Sequence, residues 1–291
     1  MKALLLLLAT TATAALGEDA KDALDALENV WNCRDVAELA LSIPKYRLAR
    51  CGSPHNASEA DAALIHARLR PATVLDLRTH EEVALDEGKV FPGALRKHVM
   101  LGDRRIMALE IMRRASLSDV ATFIYLRLFE GRAEANLHMG SLIGGLAGLN
   151  EIILRRESEA LNEALRVIAS SSAPVLVHCT AGKDRTGIVI ALALAAAGVE
   201  EAVVVDEYHL SHRHRSVIRD RAMRGVMKAS ETDDWAGAPK EVMRRTFAHI
   251  RSEYGGVEAY LDGIGFDRVW RRRLRRALMG ASGEASAFLL L

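Results

Sequence analysis

The sequence predicts an α/β protein with a central, mainly parallel sheet flanked by helices, and three stretches carry that reading. Pro174-Val175-Leu176-Val177 is a short apolar, β-branched run that reads as a buried strand, and the Ala- and Leu-rich residues 188–197, ended by Gly198, read as a buried helix with a glycine C-cap. Residues 58–70 have helical spacing, with Ala62, Leu64, Ile65 and Leu69 available for burial. Pro71 stops that helix, and residues 73–77 follow as a strand. Residues 155–170 are amphipathic, with Leu161, Leu165 and Ile168 on one face, as a helix lying on a sheet requires. Strands that alternate with helices are the pattern of a parallel sheet.

The 291 residues suffice for one large domain or two. Half are hydrophobic and 26% are charged, a balance that supports a sizeable core. The net charge of +1 gives no argument for nucleic acid as a partner. Residues 1–17 read as a signal peptide: Lys2, an apolar or small-residue stretch from 3 to 16, and Ala15-Leu16-Gly17 as a cleavage site. The stretch is shorter than the ~20 residues of a membrane span. A secretory or extracellular location follows, and an N-terminal helix of the mature chain is the alternative. The remaining division is a single domain over residues 18–280 and a tail over 281–291.

Asn56-Ala57-Ser58 is a glycosylation sequon in a polar loop, although Ser58 is equally a good helix N-cap. Asp76 and Arg78 fall at the C-terminal end of the 73–77 strand, where open α/β sheets place ligand sites. They support such a site from behind or form a structural ion pair. Residues 90–150 carry the least information. Phe91-Pro92-Gly93 marks a turn, residues 104–114 and 117–129 read as helices, and Met139-Gly140 with Gly144-Gly145 reads as a flexible break. Val203-Val204-Val205 is a short β-branched run. His209, His212 and His214 form a basic face rather than a metal site, because no carboxylate or cysteine stands at ligand spacing with them. Residues 211–235 are strongly charged and form either a lid or a solvated helix. In 270–278, Trp270, Leu274 and Leu278 interleave with arginines. That is the exposed side of a C-terminal helix, with an anionic membrane face as the less favoured alternative.

The chemistry concentrates in ten residues between strand and helix, His178-Cys179-Thr180-Ala181-Gly182-Lys183-Asp184-Arg185-Thr186-Gly187. A loop that closes onto a helix N-terminus turns backbone N–H groups inward, and the helix dipole adds positive potential, so the loop cradles a tetrahedral dianion. Arg185 adds a bidentate fork to two oxygens. The same field stabilises a thiolate at Cys179, a nucleophile facing the bound phosphoryl group. Gly182 lets the backbone turn, and Thr186 offers its hydroxyl to the sulfur. A buried structural cysteine before an ordinary helix is the alternative. The loop is not a nucleotide-binding P-loop, since Gly182-Lys183 is followed by Asp184 rather than Ser or Thr.

His178-Cys179-Thr180-Ala181-Gly182-Lys183-Asp184-Arg185 resembles the signature of the tyrosine/serine protein phosphatase family best known from bacteria, whose fold is protein-tyrosine-phosphatase-like. Weaker likenesses follow in the family's order: Asn32-Cys33-Arg34-Asp35; Tyr46-Arg47-Leu48-Ala49-Arg50-Cys51; Val74-Leu75-Asp76-Leu77-Arg78 with Glu81-Glu82; Asp206-Glu207-Tyr208-His209-Leu210-Ser211, in a zone that is helical in the family; and Tyr254-Gly255-Gly256-Val257-Glu258-Ala259-Tyr260-Leu261. The resemblance implies phosphoprotein or phosphoinositide substrates. Cys33 and Cys51 stand where the family usually has other residues. In an oxidising compartment they pair as a disulfide; otherwise they are two separate buried thiols.

The reaction expected is phosphomonoester hydrolysis without a metal or other cofactor. Cys179 attacks phosphorus, Arg185 and the amides of residues 180–185 hold the equatorial oxygens, and water releases phosphate from a phosphocysteine. The resemblance assigns the proton donor to Asp184, and a carboxyl beside a bound dianion favours its protonated form. The competing role for Asp184 is to orient Arg185, and Asp76 is the outside candidate for the acid. Lys183 at the loop rim favours substrates with several phosphates, such as phosphoinositides. Two other classes stay open: a non-catalytic phosphate-binding module, and a sulfurtransferase or arsenate reductase. The account requires an accessible sulfur with the guanidinium turned towards it.

Overall fold

The computed structural model describes residues 24, 27–84, 91, 93–172, 174–224 and 233–280. The expected signal peptide, the C-terminal tail and Pro92 lie outside them. Five strands form one sheet: β1 (Arg34–Asp35), β2 (Leu48–Cys51), β3 (Thr73–Asp76), β4 (Leu95–His98) and β5 (Val175–His178), in the order β1-β2-β5-β3-β4. β1 runs antiparallel to β2, and every other pair is parallel. The expected sheet is therefore present, with a two-residue antiparallel edge. Side chains alternate between two cores. Leu48, Leu75, Val175 and Val177 enter the larger one, and Ala49, Cys51, Val74 and Leu176 the smaller.

The register matters most for function. Cys51 and Asp76 both lie opposite His178, and His98 lies opposite Asp76. Four strands thus end at one level, and the loop that starts at Cys179 opens there.

The helices are α1 (Glu59–Leu69), α2 (His80–Ala84), α3 (Arg104–Arg114), α4 (Leu117–Tyr125), α5 (Arg132–Leu142), α6 (Gly145–Arg156), α7 (Ser158–Ser170), α8 (Asp184–Ala197), α9 (Glu201–His209), α10 (Arg215–Arg224), α11 (Asp233–Ala236), α12 (Lys240–Tyr254), α13 (Val257–Gly263) and α14 (Arg268–Met279). A π turn, Leu126–Glu130, extends α4. Ser58 and Asp61 form a capping box on α1, which stops at Arg70 with φ 44°. α8 is apolar all round because it is enclosed by α6, α7, α9, α13 and α14. No single helix among the described residues is long and apolar enough to cross a membrane.

Several expectations change. Gly140 is not a break. It lies inside α5, where a Cβ would come within 2.5 Å of the Trp235 ring, so its small size serves packing. The chain bends at Gly144 instead, with φ 86°. Arg155 and Arg156 close α6 rather than open α7, because Glu157 leaves helical geometry. Val203, Val204 and Val205 belong to α9, the helix the resemblance implies for this zone, and Val204 and Val205 pack into the core. Leu274 and Leu278 of α14 are buried against α7 and α8, and Trp270 is sandwiched by Arg166 and Arg273. Cys33 and Cys51 are joined as a disulfide, Cα to Cα 4.0 Å, closing a loop worth about 3 kcal/mol in chain entropy.

Candidate active site

The loop from Cys179 to the start of α8 is held by its carbonyls. Ser53 N donates to Thr180 O at 3.0 Å. Asn32 Nδ2 donates to Ala181 O at 3.2 Å and to Gly182 O at 2.8 Å. Arg50 donates from Nε and Nη2 to Gly182 O and from Nη2 to Lys183 O, at 3.1, 2.5 and 3.0 Å. With the carbonyls tied outward, the amides face the loop's interior. Along the segment the first amide that donates to a backbone carbonyl is Gly187, to Lys183 O at 2.7 Å. The preceding amides, from Thr180 to Thr186, donate to no backbone carbonyl and so have donors to spare at the start of α8. Gly182 has φ 64°, and a Cβ there would overlap the carbonyl of Cys51, so the turn needs glycine twice over.

The clamp on those carbonyls is itself built on one buried carboxylate. Glu207 Oε1 receives Arg34 Nη2 at 2.8 Å, and Glu207 Oε2 receives Arg50 Nη1 at 2.6 Å. Arg34 also reaches Asn32 Oδ1, Glu207 O and Ser211 Oγ. Burial alone would raise the Glu207 carboxyl, but Arg34 and Arg50 hold it below its ordinary value. Burial pushes Arg34 down to about 10, with Glu207 opposing.

Cys179, which the sequence account requires to be accessible, is buried at 2% exposure and packs with the larger core, so the open sulfur it expected is not seen in this structure. The Arg185 fork is not free. The terminal edge of Arg185 meets Glu82: Nη1 donates to Oε2 at 2.6 Å and Nη2 to Oε1 at 2.9 Å. Nη1 also donates to Leu101 O and Nη2 to Thr180 Oγ1. Thr180 Oγ1 in turn donates to Glu82 Oε1. A buried guanidinium requires a counter-anion, so the fork expected to hold two substrate oxygens is held end-on by a carboxylate. Its Nε edge carries no protein acceptor among the described residues.

Lys183 corrects another expectation. It is buried, not at the rim, and its Nζ donates to Asp184 Oδ1 at 2.9 Å and to Gly237 O at 2.7 Å. Tyr208 Oη donates to the same Asp184 oxygen at 3.3 Å. Asp184 is therefore positioned by two donors, and its carboxylate makes no hydrogen bond to the Arg185 guanidinium. Thr186 Oγ1 is buried without a hydrogen-bond partner. The expected bond to sulfur is not made.

Asp76 and Arg78 form a structural pair that also reaches the loop's support. Arg78 donates from Nε and Nη2 to the two Asp76 oxygens at 2.9 and 2.7 Å and from Nη1 to Ser53 Oγ at 2.9 Å. Arg96 adds a bond to Asp76 at 2.7 Å. Burial opposes ionisation of Asp76, yet Arg78 and His178 hold the carboxyl far below the ordinary range, which removes it as a proton donor at neutral pH. His209 and His212 stack, and both engage residue 238: His209 Nδ1 faces Ala238 O at 2.8 Å, and Ala238 N donates to His212 Nδ1 at 3.1 Å. They fasten the segment that receives Lys183 rather than form a solvated face. No cluster suited to a metal occurs among the described residues. Asn56 ends the short turn Pro54–Asn56.

The tyrosine phosphatase family model matches residues 26–280. The chain belongs to that family. It is similar to the triple specificity protein phosphatase PtpB of Mycobacterium tuberculosis, with 27% identity over 275 residues, 86% of this chain and 97% of that protein. A tyrosine-protein phosphatase of Nostoc commune is 38% identical over 109 residues, 34% of this chain and 37% of that protein. The chain is thus a cysteine-based phosphoric monoester hydrolase of the tyrosine phosphatase class.

Sequence reasoning missed the clamps of this phosphatase: Glu82, Asn32, Arg34, Arg50, Glu207 and Tyr208. Each stood inside a family-like motif, but nothing local gave it a partner.

Two of the site's groups set an acid limit on the fold. His178 is pushed down to about 4, chiefly by burial, with Asp76 opposing. Glu82 is pulled down to about 2 because Arg185 outweighs burial. Between the ordinary histidine value near 6.5 and about 4, the unfolded chain binds a proton at residue 178 that the folded chain refuses. Below the ordinary glutamate value, near 4.5, Glu82 acts in the same sense. Stability is therefore present above pH ~6.5 and falls with pH through both windows. Urea melts are expected to show a midpoint that drops from about pH 7 to pH 5, with a smaller drop in His178→Gln. A parent midpoint that stays flat would refute this.

Proposed function

We propose that the chain hydrolyses phosphotyrosine in proteins through a phosphocysteine on Cys179. The observation that carries the reading is the loop after Cys179, whose carbonyls from Thr180 to Lys183 are bound by Ser53, Asn32 and Arg50 while its amides from Thr180 to Thr186 donate to no backbone carbonyl. Cys179 forms the S–P bond as the ester O–P bond breaks. The amides of Thr180, Ala181, Gly182, Lys183, Asp184 and Arg185, with the Arg185 Nε edge, hold the equatorial oxygens, whose charge is greatest in the transition state. Glu82 positions Arg185. Asp184 protonates the leaving phenolate, and Lys183 and Tyr208 fix its orientation. Water then attacks phosphorus, and phosphate and the thiolate are released. The Thr186 hydroxyl sits in the first turn of α8 to receive the sulfur's charge at that stage.

A wider range, with phosphoserine, phosphothreonine and phosphoinositides, is supported by the likeness to a phosphatase named for triple specificity. Lys183 lends it no support, since its charge is spent on Asp184 and Gly237. The Cys33–Cys51 disulfide supports a working place outside a reducing cytosol.

The test is phosphate release from a small aryl phosphate without added metal, followed across pH in the parent and in Asp184→Asn. The parent turns over. The variant loses about 10²-fold or more in kcat, together with the alkaline limb that reports the acid's deprotonation. A profile unchanged in shape and height would place the acid elsewhere, and no release by the parent would leave a phosphate-binding module.

A further inference from the structure

The segment between Gly102 and Gly144 exposes a run of large apolar side chains. Leu117 is 91% exposed, Leu128 71% and Phe129 72%, and Leu109, Met112, Ile124 and Tyr125 are more than half exposed. They follow one another along α3, α4 and the π turn, with the tilted rings of Tyr125 and Phe129 5.1 Å apart. A stretch of this kind on a water-soluble surface marks a contact.

Charge says with what. The buried Glu110 receives Arg114, Arg155 and Arg156 at 2.9, 2.8 and 2.7 Å and lies 3.8 Å from Arg113. One carboxylate thus faces four guanidinium groups, and the base of the apolar face stays strongly positive. Arg104, Arg105 and Arg127 are exposed on the same helices. Acidic groups are fewer: Asp103 and Asp119 cap helices, Glu130 ends the π turn, and Glu134 is exposed in the first turn of α5. Apolar and aromatic side chains rimmed by arginine match the layered chemistry of an anionic bilayer interface.

The segment also borders the catalytic loop. A Cβ at Gly102 would come within 3.0 Å of Arg185 Cδ, and the returning helix α5 presses Gly140 against Trp235, two residues before the Gly237 carbonyl that holds Lys183. We propose that α3, α4 and the π turn form a docking face for an anionic lipid surface, which sets the mouth of the phosphate loop beside the membrane. α14 is not that face, because its leucines are buried in the core. The inference does not depend on lipid being the substrate.

The experiment is co-sedimentation of the full chain with phosphatidylcholine vesicles, with and without phosphatidylserine, alongside hydrolysis of a soluble aryl phosphate. The parent is expected to sediment with the serine-containing vesicles only. Leu128→Glu/Phe129→Glu is expected to lose about tenfold or more of that binding, and Arg104→Glu/Arg105→Glu about as much, with aryl phosphate hydrolysis unchanged. Phe129→Trp, which keeps the face apolar, is expected to shift its emission to the blue on the same vesicles. Failure of the parent to bind, equal binding by the Glu variants, or a tryptophan unmoved by vesicles would overturn the proposal. So would a parent dimer that the Glu variants turn into a monomer without loss of lipid binding, which would give the face to a second copy. A parent that binds vesicles yet releases no phosphate would count against the catalytic reading alone.

Discussion

Replacing Cys179 by serine is expected to lower phosphate release by about 10⁴-fold or more while phosphate analogues still bind. The serine hydroxyl is nearly isosteric, so it fits the floor of the loop. What holds the loop open lies elsewhere: Asn32 and Arg50 on the carbonyls, Ser53 on Thr180, and Glu82 behind Arg185. Binding of tungstate or inorganic phosphate, read by titration calorimetry, is expected to stay within a few-fold of the parent. Turnover fails because an alcohol yields its proton far less readily than a thiol and attacks phosphorus poorly. Release that persists in Cys179→Ser would remove this residue as the nucleophile. Loss of both binding and turnover would instead make the sulfur part of the loop's construction.

The second large effect is structural. Glu207→Ala is expected to cost about 3–5 kcal/mol of folding stability, because Arg34 and Arg50 would remain buried with no counter-ion. For a chain of this length that is a fall of about 10 °C in Tm. The same change unseats the clamp on Gly182 and Lys183, so activity falls in the folded fraction as well. Glu207→Gln keeps the shape and one acceptor but not the charge, and a partial effect is expected. A Tm within about 1 °C of the parent in Glu207→Ala would show that the two arginines do not need this carboxylate.

What the sequence reveals and what it hides divides by distance along the chain. The loop is legible because Cys179, Gly182, Asp184 and Arg185 are neighbours, and the strand before and the helix after are short apolar runs with clear ends. The parallel sheet is legible for the same reason, as each strand lies beside its own helix. The clamps are not. Arg50 meets Gly182 across 132 residues and Arg34 meets Glu207 across 173, and an arginine read alone looks like a surface cation. Lys183 was misplaced because charge suggests exposure, whereas Asp184 and the Gly237 carbonyl supply enough partners to bury it. Gly140 was misread as a break because its reason, the ring of Trp235, lies almost a hundred positions away.

The outward-bound carbonyls carry a consequence for how the protein is made. Their donors come from the opening residues of the domain, while Glu207, which anchors those donors, lies well after the loop. During synthesis the chain between must be complete before the cradle can assemble around Cys179. Until then this cysteine lacks the loop that surrounds it in the folded protein. Cys33 and Cys51 both precede Cys179 in the chain, so they can pair before it is made.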